Sequence, residues 1–222
     1  MTLFQRLKEA NPDAWCAFTD HAFVARLQSG DLPAAAFEHY LKQDYLFLIH
    51  FARAYSLAAY KSDNLADMRA ATATVSALID TEMALHVQYC AEWGISEEQM
   101  QAVEEAPENM AYTRYVLEKG LSGDILDLYV ALAPCVMGYG EIGEKLINSP
   151  ETKKTGNPYL PWIEMYASDE YQEVVTASID QIDKLAISRF TEARFDSLSK
   201  TFREASRLEA GFWQMGLNIL EP

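Results

Sequence analysis

Cys135, Glu209 and Asp44 are side chains whose type and setting could do chemistry. Cys135 stands in Ala131-Leu-Ala-Pro-Cys-Val-Met-Gly-Tyr-Gly-Glu-Ile-Gly143, inside an apolar segment that reads from near Ile125 to Ile147. Pro134, Gly138, Gly140 and Gly143 interrupt what is otherwise helical spacing. A Pro in a helix interior costs about 3 kcal/mol and each Gly roughly 1 kcal/mol relative to Ala. Pro134 is expected to kink the helix ahead of Cys135, and Gly138 and Gly140 to strip side chains from the wall beside it. Tyr139 follows one turn later on the same face. Two readings stand: a thiol and a phenol facing a cavity, or a small buried Cys in a helix whose glycines serve close packing.

Asp44 sits amid an apolar stripe, three or four residues from Tyr40, Leu41, Phe47 and Leu48, and none of these positions supplies a Lys or Arg. An unpaired buried carboxylate is very costly. Asp44 therefore either reaches water or a distant Arg at the stripe's edge, or is buried for a use. Glu209 shares a helical face with Phe212 and Trp213, the setting of a rim glutamate or of a buried, chemically used acid. Glu82 and His86, spaced i, i+4, read first as a hydrogen-bonded pair and alternatively as two metal ligands. The Glu-x-x-His motif of di-iron carboxylate bundles is absent. A Cys–His protease would need an arranged base, and nothing places His21, His39, His50 or His86 in that role. Nucleotide-binding glycine motifs, HExxH, GxSxG and zinc-finger spacings are also missing.

The elements that must position these groups read as helices throughout. Asp13 is the expected cap of a helix carrying Trp15, Phe18, Phe23, Val24 and Leu27 and stopping at Ser29-Gly30. Asp31-Leu-Pro33 opens the next, which runs to about Tyr60 and includes Phe37 and Phe51 in its inner stripe. Asp63 or Asn64 caps a helix through Met68, Val75, Leu78, Ile79, Met83, His86 and Trp93 to Gly94. Ser96 with Gln99 forms a capping box on a short one. Pro107 precedes a helix ending at Gly120, and Gly123-Asp124 leads into the Cys135 helix, which ends before Asn148-Ser-Pro150. Residues 151–161 form a surface loop, Trp162–Tyr166 a short turn or helix, Ser168-Asp-Glu-Tyr171 starts the next helix with capping residues, and two long helices, about Tyr171–Glu192 and Arg194–Leu220, close the pattern.

Half of the 222 residues are hydrophobic and the formal charge is −15. This fits a globular, all-α, single-domain chain over 1–222. Such a charge argues against nucleic acid or an anionic membrane as partner, since phosphate neutralisation needs Lys and Arg. Three cysteines without a CxxC suit a reducing cytoplasm over a disulfide framework. Asp127 and Glu141 interrupt the best membrane-span candidate and the N-terminus lacks a signal-peptide core, so a soluble cytoplasmic protein is expected.

Five motifs, in register from about Ala14 to Met215, carry a resemblance: Gln43-Asp44-Tyr-Leu-Phe47, Ala111-Tyr112-Thr-Arg-Tyr115, Ala133-Pro134-Cys135-Val-Met-Gly-Tyr139, Trp162-Ile-Glu-Met-Tyr166 and Leu208-Glu209-Ala-Gly-Phe212-Trp213. The chain resembles the TenA / thiaminase II family of aminopyrimidine aminohydrolases, in its cysteine-type branch. The resemblance implies a haem-oxygenase-like helical bundle without haem or other cofactor, assembled as a homotetramer. The implied activity replaces the side-chain amino group of 4-amino-5-aminomethyl-2-methylpyrimidine with hydroxyl, and many members also cleave thiamine. By the same motifs Cys135 is the implied nucleophile, Asp44 the anchor of the aminopyrimidine and Glu209 the acid/base. Phe47, Tyr112, Tyr139, Tyr166 and Phe212 are the implied pocket lining; no metal is implied. Phe47 stands where Tyr is frequent, which removes a hydroxyl from the pocket, and Gln214 where Asp is common. Two other classes remain open: a metal-dependent oxidase drawing on Glu82 and His86, and a non-catalytic regulator that kept the fold.

Overall fold

The computed structural model describes residues 1–219. Among them are twelve α-helices, one π-helical turn and one 3-10 turn, with no strand. The first helix, α1 (Leu3–Ala10), is followed by α2 (Pro12–Thr19), α3 (Ala22–Ser29) and the long α4 (Ala34–Lys61). Next come α5 (Leu65–Ser76), the π turn Ala77–Glu82, α6 (Met83–Glu92) and α7 (Glu97–Gln101). The second half is α8 (Pro107–Ser122), α9 (Ile125–Asn148), α10 (Leu160–Ala167), α11 (Asp169–Arg189), a 3-10 turn Glu192–Arg194, and α12 (Phe195–Asn218).

The helix that carries Cys135 is the axis of the bundle. Its start is fixed by Asp124, whose Oδ1 accepts the Leu126 and Asp127 backbone N–H groups, while Asp127 Oδ2 accepts the Asp124 N–H. Arg194, just ahead of α12, donates to both carboxylates at 2.8 Å. One guanidinium thus ties the start of α9 to the start of α12. From there α9 runs through Pro134 as one helix, packed against α2, α4, α8, α10, α11 and α12. By length and mean hydropathy, 1.4, it passes for a membrane span, but 83% of that stretch is buried inside the protein. It is a core helix.

The glycines of α9 serve that packing, and this corrects the expectation that Gly138 and Gly140 open a wall beside Cys135. A Cβ at Gly138 would collide with the Phe18 ring of α2, and one at Gly140 would lie 2.6 Å from Val175 Cγ2 of α11. At Gly143 the obstacle is backbone: Tyr166 C would be 2.5 Å away. That close approach seats α10, and with it Tyr166, against α9.

Other expectations change in detail. The single helix foreseen from Asp13 to Gly30 is two, because His21 interrupts it and its Nδ1 accepts the Phe23 N–H at 3.2 Å as a cap. Asn11, not Asp13, precedes α2. Asn64 caps α5 as one of the two candidates. The helix foreseen from there to Gly94 contains the π turn, closed by the Met83 N–H on Leu78 O, and it ends α5's register before α6 begins. Gly30, at φ 72, closes α3 in the left-handed region. The helix expected to start at Ser168-Asp-Glu-Tyr171 does so, running from Asp169 under the Ser168 cap, and it stops at Arg189 rather than Glu192. The expected end of the last helix at Leu220 lies outside the described residues.

Candidate active site

Cys135 and Tyr139, one turn apart on α9, line an inner chamber of about 40 Å³ together with Asp44, Phe47, Glu82 and Tyr166. Asp44, Glu82 and Tyr166 also line an outer cleft of about 370 Å³, walled further by Tyr40, His86 and Trp162. The two spaces share these walls, so chamber and cleft are adjacent parts of one site. Among the described residues, no Lys or Arg lines either.

Behind the chamber, α12 supplies Glu209 and α8 supplies Tyr112. Glu209 is 2% exposed, and the Tyr112 hydroxyl donates to its Oε1 at 2.8 Å. A carboxyl this deep avoids charge: burial raises it to about 8, against the Tyr112 and Cys135 hydrogen bonds, which favour the ionised form. The Cys135 thiol is pushed well above its ordinary range, first by burial, then by the acidic neighbours Glu209, Asp44 and Glu82, whose ionised forms would repel a thiolate. The resting group is therefore a thiol, unlike reactive cysteines held as thiolates by a nearby cation. Tyr112 is stacked on Phe47 at 5.4 Å between ring centroids, and Phe212 meets Phe47 edge-on at 5.8 Å. Phe212 is buried and braces the rings that face the chamber. Trp213 fills the centre of the bundle, stacked on Phe23 and beside Tyr139.

Across the chamber stands Asp44 of α4, with 15% of its side chain exposed. Burial raises its carboxyl to about 7. Its neighbour is neither water alone nor an Arg: His86 Nδ1 of α6 lies 3.5 Å from Asp44 Oδ2. The expected Glu82–His86 hydrogen bond does not form. His86 Nε2 instead bonds Leu41 O at 2.9 Å, with Cys90 Sγ at 3.4 Å. Glu82, the last residue of the π turn, opens into the cleft. It is exposed there, and the surrounding protein together with Asp44 still raises its carboxyl, to an extent solvent contact moderates. No group of three or more His, Cys, Asp or Glu among the described residues is arranged to hold a metal ion, so Glu82 and His86 lack a third donor.

The structure thus brings Cys135, Tyr139, Tyr166, Phe47 and Asp44 around one chamber, with Glu209, Tyr112 and Phe212 behind it. Sequence reasoning did not see Glu82 and Tyr171 as chamber walls, nor Tyr40 and Trp162 as cleft walls. Tyr40 was findable, standing one turn before Asp44. Glu82 was not, because the π turn resets its direction.

Phenols, a thiol and carboxyls around one partly enclosed space are groups able to stack on a small aromatic ring and exchange protons with it, and they sit in an α-helical protein. Its scaffold is a haem-oxygenase-like bundle: a Shewanella denitrificans domain described by that fold superposes with a TM-score of 0.74 at 11% identity, over 100% of this chain and 94% of that one. Residues 9–219 match the TENA/THI-4/PQQC family, and the chain belongs to it. An aminopyrimidine aminohydrolase of Halalkalibacterium halodurans is 36% identical over 98% of this chain and 96% of its own length. One of Bacillus subtilis is 32% identical over 97% and 89%. The solved structure of a Silicibacter protein described as a TenA family transcription regulator has a TM-score of 0.91 at 48% identity, covering 97% of this chain and 96% of that one.

Proposed function

We propose that this chain is an aminopyrimidine aminohydrolase of thiamine salvage, converting 4-amino-5-aminomethyl-2-methylpyrimidine and water to the 5-hydroxymethyl compound and ammonia. The observation that carries this is one chamber lined by the Cys135 thiol of α9 and the Asp44 carboxyl of α4, with the Glu209 carboxyl of α12 buried behind it on the Tyr112 hydroxyl. The named relatives support it.

Asp44 holds the ring by a ring nitrogen and the 4-amino group, and the phenols stack on its faces. Cys135 adds to a carbon beside a ring nitrogen: the S–C bond forms and the thiol proton passes to the nitrogen. Electron density of the dearomatised ring then breaks the C–N bond of the side chain, and Glu209, protonated at rest, gives its proton to the departing amine. Water adds to the exocyclic methylene and returns a proton to the Glu209 carboxylate. Loss of the ring N–H proton and cleavage of S–C restore the aromatic ring and the thiol. Covalent addition splits one displacement into easier steps, and a placed carboxyl contributes roughly 10²–10⁴-fold.

The outer cleft has room for a leaving group larger than ammonia, which supports thiamine as a second substrate. Among the described residues no third donor is arranged with Glu82 and His86 to hold a metal ion, which gives the oxidase reading no support. The presence of Cys135, Asp44 and Glu209 in one site speaks against a purely regulatory one. We further propose a cytoplasmic homotetramer: the three cysteines are free thiols, and Leu121 and Ile187 are large side chains left open to solvent, at 69% and 87% exposure. Incubation of the purified chain with the aminomethylpyrimidine and with thiamine, read by product mass, tests the activity. Consumption of neither at micromolar enzyme overturns it.

A further inference from the structure

His86 and Asp44 face each other in a way that fixes where their protons can be. The His86 Nε2 lies 2.9 Å from Leu41 O, an acceptor only, so this nitrogen carries a hydrogen. Cys90 Sγ, 3.4 Å from the same nitrogen, is a second acceptor for it, and burial keeps Cys90 a thiol by raising it to about 12. In the neutral ring Nδ1 then presents a lone pair toward Asp44 Oδ2, 3.5 Å away. An ionised Asp44 would meet that lone pair with its own. Burial lowers His86 and raises Asp44, pressing both toward their neutral forms.

From this geometry we infer that His86 is a positioning residue that holds the Asp44 carboxyl protonated, Nδ1 accepting its O–H, so that Asp44 meets the substrate ring as a paired donor and acceptor. A neutral carboxyl can donate to a ring nitrogen and accept from the adjacent amino group; a carboxylate only accepts. On binding, the proton turns from Nδ1 to the ring nitrogen with no net change of charge in a site that has no cation of its own. Lys42 of α4 acts on Cys90, beside His86, while the acidic groups around the pair disfavour a charged Asp44. Glu82 faces it from the π turn and Glu209 from behind the chamber, both acidic. Cys135 and Tyr139 of α9, Tyr166 of α10 and Tyr40 of α4 are pushed upward and remain neutral.

The inference rests on the aminopyrimidine reading for its kinetic arm and is independent of it for its structural arm. His86→Gln keeps an amide donor for Leu41 O while replacing the basic lone pair with a weak acceptor. The variant is expected to match wild type at pH 6, where Asp44 stays protonated unaided. At pH 8 it should lose about tenfold in kcat/KM, carried mainly by KM, as the alkaline limb moves down by about one pH unit. An equal loss at every pH would mean that His86 only packs, and overturns the inference. Histidine ¹⁵N NMR of the free protein should find His86 as the Nε2–H tautomer at neutral pH, with its Nδ1 shift altered by Asp44→Leu. An Nδ1–H tautomer, or indifference to Asp44→Leu, overturns it whether or not the protein turns over any substrate. Failure of hydrolysis with the NMR result intact would instead remove the substrate assignment alone.

Discussion

The two ends of the site are built differently. At the inner end, Cys135, Glu209 and Tyr112 come from α9, α12 and α8, helices at the middle of the bundle and braced by Trp213, Phe212 and the close contacts at the α9 glycines. At the outer end, Asp44, His86 and Glu82 come from α4, α6 and the π turn, joined by one side-chain-to-backbone bond from His86 to Leu41. Glu209 and Tyr112 are closed off from solvent, whereas Cys135, Asp44 and His86 are half-buried and Glu82 is exposed. The difference separates two jobs. Proton-transfer and thiol chemistry sit where burial sets the protonation states, and ring recognition sits where the substrate must pass.

The sharpest way to break this division is Cys135→Ser. A hydroxyl is a far weaker nucleophile than sulfur at neutral pH, so turnover should fall by roughly 10³-fold or more, with substrate binding and thermal stability close to wild type. Hydrolysis measured by ammonia release decides it: a Ser variant that keeps most of the activity reduces Cys135 to packing.

Glu209→Gln comes next, with an expected loss of roughly 10²-fold in kcat and a smaller change in KM, as for an interaction made mainly in the transition state. It has a second readout. The folded-state value of Glu209 lies near 8, above its ordinary 4.5, so between those values the folded protein binds the proton more tightly than the unfolded chain. Stability tied to this group is therefore present at low pH and falls as pH rises toward 8. Glutamine removes that loss. Melting temperatures of variant and wild type should be similar at pH 5 and separate in the variant's favour, by a few degrees, at pH 8.5. A difference independent of pH would mean that Glu209 is ionised in the resting protein.

Asp44→Ala tests the outer end. Losing a buried hydrogen-bonding carboxyl should cost about 1.5–3 kcal/mol of binding, or roughly 10–100-fold in KM. It should also lower kcat, because a misheld ring presents the wrong carbon to the thiol. Steady-state kinetics unchanged from wild type would make Asp44 a structural partner of His86 alone.

How far the sequence reveals this division follows from how each part is made. Helical spacing gave α4, α8, α9 and α12 because each buries a regular stripe, and the caps at Asn64, Ser96 and Ser168 mark starts by local hydrogen bonding. The motif order around Cys135 and Glu209 could be matched to a family although nothing local says that two residues 74 positions apart meet. The two helices that carry them pack together, and Arg194 ties their starts by bridging Asp124 and Asp127, a long-range contact. The α9 glycines misled as to cause, since the space they leave is filled by Phe18, Val175 and the α10 backbone. The π turn is the largest miss. It adds a residue to one helical turn, so a single stripe drawn from Met68 to Trp93 puts Ile79 inside, where the structure leaves it 56% exposed. The same shift is what points Glu82 and His86 toward Asp44.

The mildest test asks whether the inner end is tuned as well as buried. The Tyr112 hydroxyl donates to Glu209 and is the largest influence holding that carboxyl down. Tyr112→Phe removes the donor and little else, because the ring still stacks on Phe47. Without it the Glu209 carboxyl should titrate higher. Since Glu209 must start protonated to serve the leaving amine, the alkaline limb of kcat, which reports the substrate complex, should move to higher pH. The loss at pH 7 should be small, about tenfold at most, reflecting the single hydrogen bond at stake. A limb that moves down instead would assign Glu209 the opposite role, a carboxylate base at rest that takes the Cys135 proton. Because burial acts first and most strongly against that ionised form, the upward shift is the outcome the structure requires.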